Sequence, residues 1–272
     1  MTEIGIDREK SRFVSMRAFH NIIKRNLILE TVKLLKKRTI NLFDISVGRM
    51  GDYHSWNNAQ ISYVFGIDPD KESLLEAKRR YIELKKNNKS ITNVDFAVCK
   101  ITDDKTNLTF PKSKLLYDIV QCQFTIHYFF EKQEMLDNAL RRVEVKLKPG
   151  GYFIGTAIDG DKVNRVLNKN PSIKNKYFMI QKEYTEYTPF GSKYQFCLFD
   201  KPGSGNYFNN MSSVEYLVPQ CVLTQACKHF GLHLVAYKNF SDIYEECGNS
   251  MISNQYEKDI SFMYYTFVFQ KK

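Results

Sequence analysis

The sequence predicts an α/β protein with a mostly parallel central sheet and helices on its flanks. Short β-rich segments recur between residues 40 and 155, and helical patterns separate them. Strands that alternate with helices are typical of parallel sheets with crossover connections. Because no linker-like segment divides the chain, we expect one domain over residues 1–272.

Five strands are expected in the first part of the chain, each bounded by polar residues, glycine or proline. Ile23, Leu27 and Leu34 share one helical face and predict an N-terminal helical segment over about residues 1–38. Apolar side chains again repeat at helical spacing from Leu74 onward. The predicted strands cover residues 40–45, 63–67, 94–99, 115–120 and 152–155.

The second half adds a helix over residues 133–145, which ends where residues 148–151 bring one proline and two glycines. A strand restarts at Tyr152. Residues from about 159 to 212 are rich in Lys, Asn, Tyr and Ser, with a strand-like run at 193–199, and are predicted to be an insertion on the sheet. A helix at 214–230 and strands at 232–237 and 263–269 complete a seven-stranded sheet.

The composition narrows the possible function classes. There are 40 Lys and Arg residues against 30 Asp and Glu residues, and the resulting net charge of +10 favours a polyanionic partner. No window approaches the roughly 18 apolar residues of a membrane-spanning helix, and the N-terminus lacks the apolar core of a secretory signal, so no membrane partner is expected. The six cysteines include no CxxC pair and are expected to be reduced, mostly core thiols. No HExxH motif is present, and we predict no metal.

The ends of the first two strands carry residues suited to a nucleoside-bearing cofactor, since ligands of such sheets bind beyond the carboxyl ends of the strands. A turn with Gly48 and Gly51 follows Asp44, and Asp68 ends the next strand, where it can accept both hydrogen bonds of a ribose diol. Singly, either aspartate would equally be a strand-end cap. Ser46 occupies the first glycine position of GxGxxG, so S-adenosylmethionine, which has no phosphate, fits better than a dinucleotide.

Several motifs resemble those of the mRNA cap guanine-N7 methyltransferases, in particular the methyltransferase part of capping enzymes from large DNA viruses. The resemblance extends over nearly the whole chain. Residues 43–52 are similar to the family's LDLGCGKGGD but depart from it at Ser46, Val47 and Met50. The other matches are RAFHNIIK at 17–24 to RxFNNxxK, QCQFTIHYFFE at 121–131 to CQFxxHYxFE, LKPGGYFIGT at 147–156 to LxPGGxFIGT, PFGSKY at 189–194 to PFGxxY, and VEYLV at 214–218 to PEYLV.

This resemblance implies a Rossmann-like class I S-adenosylmethionine-dependent methyltransferase fold, in which the insertion covers the cap. It implies S-adenosylmethionine as cofactor and S-adenosylhomocysteine as product. Lys24 would contact the methionine carboxylate, Asp44 and Asp52 would organise that end of the cofactor, and Asp68 would bind the ribose. The other cofactor residues that it implies are Ser46, Gly48, Gln123 and Phe124.

The acceptor implied by the resemblance is the GpppN end of capped RNA. Glu215 would accept hydrogen bonds from guanine N1–H and the 2-amino group, which distinguish guanine from adenine. Since guanine N7 is unprotonated at neutral pH, no general base is expected, and catalysis would depend on positioning. The other implied cap-binding residues are Asn21, Arg49, Arg80, His127, Tyr128 and Tyr264, of which the two arginines would hold the triphosphate.

Two alternatives stay open. One is a Rossmann-like methyltransferase that acts on another nucleic acid or on a small molecule, since a fold does not fix a function. The other is a non-catalytic cap- or RNA-binding module, in which Ser46, Val47 and Met50 would crowd the cofactor. The resemblance to viral enzymes also implies fusion to, or association with, triphosphatase and guanylyltransferase domains, and a cytoplasmic location at viral replication sites or in virions.

Overall fold

The computed structural model describes residues 11–87, 91–103, 115–200 and 211–272. Within these ranges, the chain forms a central sheet with helices on both faces and a smaller attached sheet. In chain order, the elements are α1 (Val14–Leu35), β1 (Asn41–Asp44), α2 (Tyr53–Asn58), β2 (Tyr63–Asp68), α3 (Lys71–Lys86), β3 (Asn93–Val98), β4 (Tyr117–Gln123), a 3-10 helix (Ile126–Glu131), α4 (Gln133–Lys146), β5 (Leu147–Ile158), α5 (Gly160–Lys169), β6 (Ser172–Lys174), β7 (Phe178–Lys182), β8 (Lys193–Leu198), β9 (Ser213–Tyr216), α6 (Gln220–His229), β10 (Leu232–Asn239), α7 (Phe240–Glu246), α8 (Gln255–Ser261) and β11 (Tyr264–Lys271).

The central sheet has seven strands among the described residues, in the order β10-β11-β5-β4-β1-β2-β3. The pairs from β5 to β3 are parallel, whereas β11 runs antiparallel to both β5 and β10. The predicted mostly parallel seven-stranded sheet is therefore confirmed. The strand order reverses at β1 and β4, so the carboxyl ends of these strands form the edge at which a ligand is expected.

The sheet separates two hydrophobic clusters in the described part of the chain. Side chains of a strand alternate between its faces, and the neighbours Leu42 and Phe43 accordingly belong to different clusters. The Leu42 cluster includes Trp56 of α2 and Leu74 of α3, whereas the Phe43 cluster includes Leu140 of α4. Helices thus cover both faces and hold the sheet edge in a fixed geometry.

The prediction that a strand restarts at Tyr152 is wrong, because β5 already begins at Leu147, which pairs with Tyr117 of β4. The register shifts before Ile119 pairs with Tyr152. Pro149 lacks a backbone N–H and interrupts the ladder, but it does not prevent the strand from beginning upstream.

Four antiparallel strands, β6-β7-β8-β9, form the smaller sheet. Its last strand ends at Tyr216, beyond the predicted end of the insertion at residue 212, and the predicted insertion residues 201–210 lie outside the described residues. The helix predicted from residue 214 is wrong there, because residues 213–216 pair with β8 and α6 begins only after Pro219. Phe178 and Phe196 belong to the same hydrophobic cluster as Phe43, so this sheet packs on the main core.

Two details of the predicted core are corrected. Helix α1 buries Ile23 and Leu27 but leaves Leu34 exposed, and residues 1–10 of the predicted helical segment lie outside the described ranges. All six cysteines are free, yet only Cys122, Cys197 and Cys227 are buried. Over the residues described, no helix has the length and apolarity needed to span a bilayer.

Candidate active site

A cavity of about 870 Å³ opens at the carboxyl ends of β1 and β2 and extends to the smaller sheet. Most of the residues named from the sequence line it, and they come from segments far apart in the chain. The cavity-lining predicted residues are Ser46, Gly48, Arg49, Asp68, Arg80, Phe124, His127, Tyr128, Glu215 and Tyr264. The structure thus brings the predicted cofactor and acceptor residues to a single cavity.

At one end of the cavity, Asp68 is held by two backbone amides. Gly48 N donates to its Oδ2 and Asp70 N to its Oδ1, each at 2.9 Å. Gly48 adopts φ +50°, a left-handed conformation that favours glycine. Burial raises the pKa of Asp68. Each carboxylate oxygen keeps a further lone pair, so the fixed side chain can still accept hydrogen bonds from a ligand.

Behind the cavity, three other predicted residues form a buried polar network. Lys24 Nζ lies 2.5 Å from Asp52 Oδ1, so in this structure its ammonium is bonded to Asp52. Gln121 Nε2 donates to Asp44 Oδ2 at 2.7 Å and to Asp52 Oδ2 at 3.4 Å. Burial, followed by the nearby charge of Asp52, raises the pKa of Asp44 to about 8. The network thus holds two carboxyl groups and one ammonium group together, close to the predicted cofactor site.

Gln121 was not among the predicted site residues, although it links the two carboxyl groups. Every residue of β4 is buried, and glutamine is mostly an exposed residue type. Gln121 follows directly on the strand predicted over residues 115–120, and its burial became evident only because β4 extends to Gln123.

Gln123 is the last residue of β4, and Phe124, which follows it, lines the cavity. Gln123 is buried, and neither its amide nitrogen nor its amide oxygen has a hydrogen-bond partner among the described residues. Phe124 has φ +53°, an uncommon conformation for a residue with a side chain. Its backbone N–H donates to Thr156 Oγ1 at 2.8 Å. An unpartnered buried amide is costly, so this strand end is suited to a polar ligand.

Glu215 lines the cavity from the smaller sheet. It is buried on β9 and accepts hydrogen bonds from Tyr194 Oη at 2.6 Å and from Ser213 Oγ at 3.0 Å. His127 Nε2 lies 3.8 Å from Glu215 Oε2, too far for a hydrogen bond. Burial lowers the pKa of His127, so its imidazole is neutral at neutral pH. The ring of Tyr128 lies 4.2 Å from the His127 ring, centroid to centroid.

His20 lines the cavity, whereas the sequence analysis named its neighbour Asn21 as a cap-binding residue. Asn21 is exposed and does not line the cavity. The His20 ring stacks on Phe124 with centroids 5.1 Å apart, and its Nε2 lies 2.9 Å from Ser261 Oγ. Burial, assisted by Lys24, lowers the pKa of His20 to about 3. Because residues four apart share a helix face, His20 and Lys24 were identifiable as one face of α1.

The two predicted triphosphate ligands lie together at the rim near Gly51. Arg80 donates from NH1 to the Arg49 carbonyl oxygen at 3.2 Å and from Nε to Glu76 at 2.6 Å. Glu76 thus neutralises part of the charge of Arg80. Ile101 and Thr102, which follow β3, also line this cavity, and Asp104 lies outside the described residues.

Comparisons with known proteins identify the family of the chain. A family model described as the mRNA (guanine-N(7))-methyltransferase domain matches residues 2–263. The mRNA cap guanine-N(7) methyltransferase of Eremothecium gossypii is 30% identical over 261 residues, covering 88% of this chain and 56% of that protein. The Drosophila melanogaster protein of the same name is 31% identical over 259 residues, covering 88% and 58%. The chain spans about half the length of these curated relatives.

Solved structures confirm the fold. An S-adenosylmethionine-dependent methyltransferase from Clostridium acetobutylicum has a TM-score of 0.55 at 13% identity, covering 98% of this chain and 92% of that one. The CcbJ methyltransferase from Streptomyces caelestis has a TM-score of 0.60 at 10% identity, covering 93% and 89%. At these identities the likeness concerns the fold, and the Rossmann-like class I methyltransferase prediction is confirmed at that level.

Proposed function

Because the chain belongs to the mRNA (guanine-N(7))-methyltransferase family, we propose that it transfers a methyl group from S-adenosylmethionine to N7 of the guanine that caps RNA. One observation carries the proposal: two buried or partly buried carboxylates line one cavity, Asp68 from the central sheet and Glu215 from the smaller sheet. The first suits the ribose of the cofactor, and the second suits the Watson–Crick edge of guanine.

The residues at the Asp68 end fit S-adenosylmethionine. Gly48 leaves the turn open, since a Cβ built on it meets no atom within 4 Å. The unpartnered amide of Gln123 offers both a donor and an acceptor near the predicted adenine position. When bound, this cofactor supplies an electrophilic methyl group. Asp52, which is paired with Lys24, carries the negative charge that suits its cationic end, whereas the pKa of about 8 leaves Asp44 mostly protonated at neutral pH, so that Asp44 offers a hydrogen-bond donor there.

The residues at the other end hold the acceptor and move no proton. Tyr194 and Ser213 each occupy one oxygen of Glu215, which fixes the carboxylate plane. A carboxylate bound to N1–H and the 2-amino group leaves the opposite, N7 edge of guanine free. His127 is neutral and contributes a contact rather than an acid. Placing two reactants in line can remove roughly 7–11 kcal/mol of barrier, so positioning is the proposed source of catalysis.

The substitutions in the glycine turn do not favour a non-catalytic module. Val47 and Met50 are buried in the hydrophobic cluster beneath the turn, and neither lines the cavity. Val47 packs against Gly66, where an added Cβ would lie 2.9 Å from its side chain. Of the three departures, Ser46 alone lines the cavity in the described part of the chain.

Purified protein incubated with labelled S-adenosylmethionine tests the proposal. We expect label to enter GpppG-ended RNA and not m7GpppG-ended RNA. Equal labelling of both would indicate a ribose 2′-O enzyme, and failure to label either would contradict the proposal. Titration calorimetry with S-adenosylhomocysteine, with Asp68→Ala as the variant expected to lose binding, separates loss of cofactor from loss of acceptor.

We further propose that the chain acts with triphosphatase and guanylyltransferase activities in the cytoplasm, at viral replication sites or in virions. The support for this is the resemblance of its motifs to viral capping enzymes. Detection of the three activities in one purified assembly would test it, and a nuclear location of the native protein would contradict it.

A further inference from the structure

Cations and tyrosines cluster on the surface beside the acceptor end of the cavity. We define this cluster, the tyrosine–lysine ridge, as Arg12, Lys174, Lys176, Tyr177 and Tyr256. Resting on the function proposed above, we propose that the ridge binds the single-stranded RNA that follows the cap, with phosphates on the cations and bases stacked on the tyrosines.

The two rings of the ridge already form a stack. Tyr177 and Tyr256 have centroids 4.9 Å apart and an interplanar angle of 18°. Both side chains are partly exposed, so a base can extend the stack. Stacking on aromatic side chains is the sequence-tolerant way to bind single-stranded nucleic acid. A cap methyltransferase needs such tolerance, because the RNA that follows a cap varies.

The cations of the ridge are exposed and close to the rings. Lys176 Nζ lies 5.7 Å from the centroids of both tyrosine rings. Lys174 Nζ lies 5.8 Å from the ring of Phe199, and Arg12 donates to the Lys176 carbonyl oxygen at 2.9 Å. Over the described ranges, none of these three side chains is paired with a carboxylate. Their charge therefore remains to attract phosphates.

The backbone beneath the ridge is held in place. Asn175 Oδ1 accepts hydrogen bonds from the backbone N–H groups of Tyr177 and Phe178, at 2.8 and 3.0 Å. Phe199 N donates to the Tyr177 carbonyl oxygen at 2.7 Å. The carboxylate of Asp200 is buried and accepts hydrogen bonds from Ser11 Oγ and Arg12 N. A fixed platform loses little conformational freedom when a strand binds.

The ridge adjoins the cavity through two elements. Tyr256 precedes the cavity-lining Ile260 by one turn of α8, a rise of about 6 Å. Tyr177 precedes Phe178, which pairs with the cavity-lining Leu198 of β8. The ridge therefore lies next to cavity-lining residues of α8 and β8, within reach of an RNA strand that leaves a cap held by Glu215.

The decisive comparison uses two triple variants with the same loss of charge, from +10 to +7 (10 − 3). The ridge variant carries Arg12→Gln, Lys174→Gln and Lys176→Gln. The control carries Lys33→Gln, Lys78→Gln and Lys228→Gln, which are exposed on other elements. The probe is a fluorescently labelled uncapped single-stranded 20-nucleotide RNA, measured by anisotropy at several salt concentrations.

We expect the ridge variant to lose about tenfold in RNA affinity and to reduce the slope of log K against log salt by about 2, since each phosphate contact contributes about 0.7. The control should stay within about twofold of the wild type. Equal losses in both variants would reduce the effect to general charge and overturn the proposal. If neither variant loses RNA affinity, the ridge binds another class of partner and the proposal is also overturned.

Tyr256→Ala tests the stacking part, and Tyr256→Phe retains a ring for comparison. The alanine variant should lose about tenfold in affinity for the single strand while the phenylalanine variant keeps it. Equal behaviour of the two variants would refute stacking, provided that their melting temperatures match. Methylation of the dinucleotide GpppG by the wild type and the ridge variant is measured alongside. Its absence in the wild type would contradict the proposed function, whereas RNA binding reports on the ridge alone.

Discussion

Replacement of Glu215 by glutamine tests the acceptor end of the site most directly. The side chain keeps its size and its place between Tyr194 and Ser213, but it loses its charge and replaces one acceptor oxygen with a donor. Hydrogen bonds to charged groups contribute about 1.5–3 kcal/mol, against about 0.5–1.5 for neutral ones. One bond to guanine is then lost and the other is weakened to a neutral one, which together cost about 3–4 kcal/mol, roughly a 150- to 1000-fold loss in kcat/KM.

The loss should fall mainly on KM for the cap, because Glu215 would hold guanine equally in the bound state and in the transition state. The assay is steady-state methylation of GpppG, with S-adenosylhomocysteine binding as the control. Tyr194→Phe removes one of the bonds that fix the carboxylate, without contacting guanine, and should cost about tenfold. A kcat/KM within about threefold of the wild type for Glu215→Gln would refute this reasoning, as would an equal loss of cofactor binding.

Burial raises the pKa of Asp44 to about 8, so the contribution of this side chain to folding stability is lost as pH rises from about 4 to 8. We therefore expect Asp44→Asn to flatten the fall in melting temperature between pH 6.5 and 8. His20→Asn should leave the melting temperatures between pH 6.5 and 8 unchanged but reduce the loss of stability below pH 6.5, because the pKa of His20 is lowered to about 3. A change in melting temperature between pH 6.5 and 8 would contradict this assignment. Gly155→Ala places a Cβ 2.1 Å from the Cys122 carbonyl oxygen and should cost about 3 kcal/mol or more in urea unfolding, whereas Gly51→Ala, with no atom within 4 Å, should not.

Much of the fold could be predicted because it depends on local patterns. The seven strands of the central sheet follow from β-rich runs between polar stretches, and each lies within a few residues of its predicted place. The errors arise where pairing overrides local preference. Leu147 joins β5 despite the proline that follows, and Glu215 lies on a strand because β8 pairs with it. Neither partner strand could be identified from the residues around these positions.

Site residues could be predicted where a sequence motif also fixes their position in the fold. Asp68 is the last residue of β2, and Glu215 lies within β9. Both line the cavity because strand pairing fixes the direction of these two strands. Asn21 was misplaced because a motif gives sequence positions and not helix faces. One residue along α1 is about 100° around its axis, which is the difference between the exposed Asn21 and the cavity-lining His20.

The glycine turn shows why a degenerate motif can retain its site. Val47 and Met50 point into the core, where larger side chains add buried apolar contacts, while Gly48 keeps the left-handed backbone that donates to Asp68. Residues at core-facing positions can change as long as their side chains together fill the same volume beneath the turn. Positions that face the cavity are limited instead by the ligand. Two of the three substitutions in this turn therefore reflect core packing, and they leave unchanged the contact between Gly48 and Asp68 on which the proposed cofactor site depends.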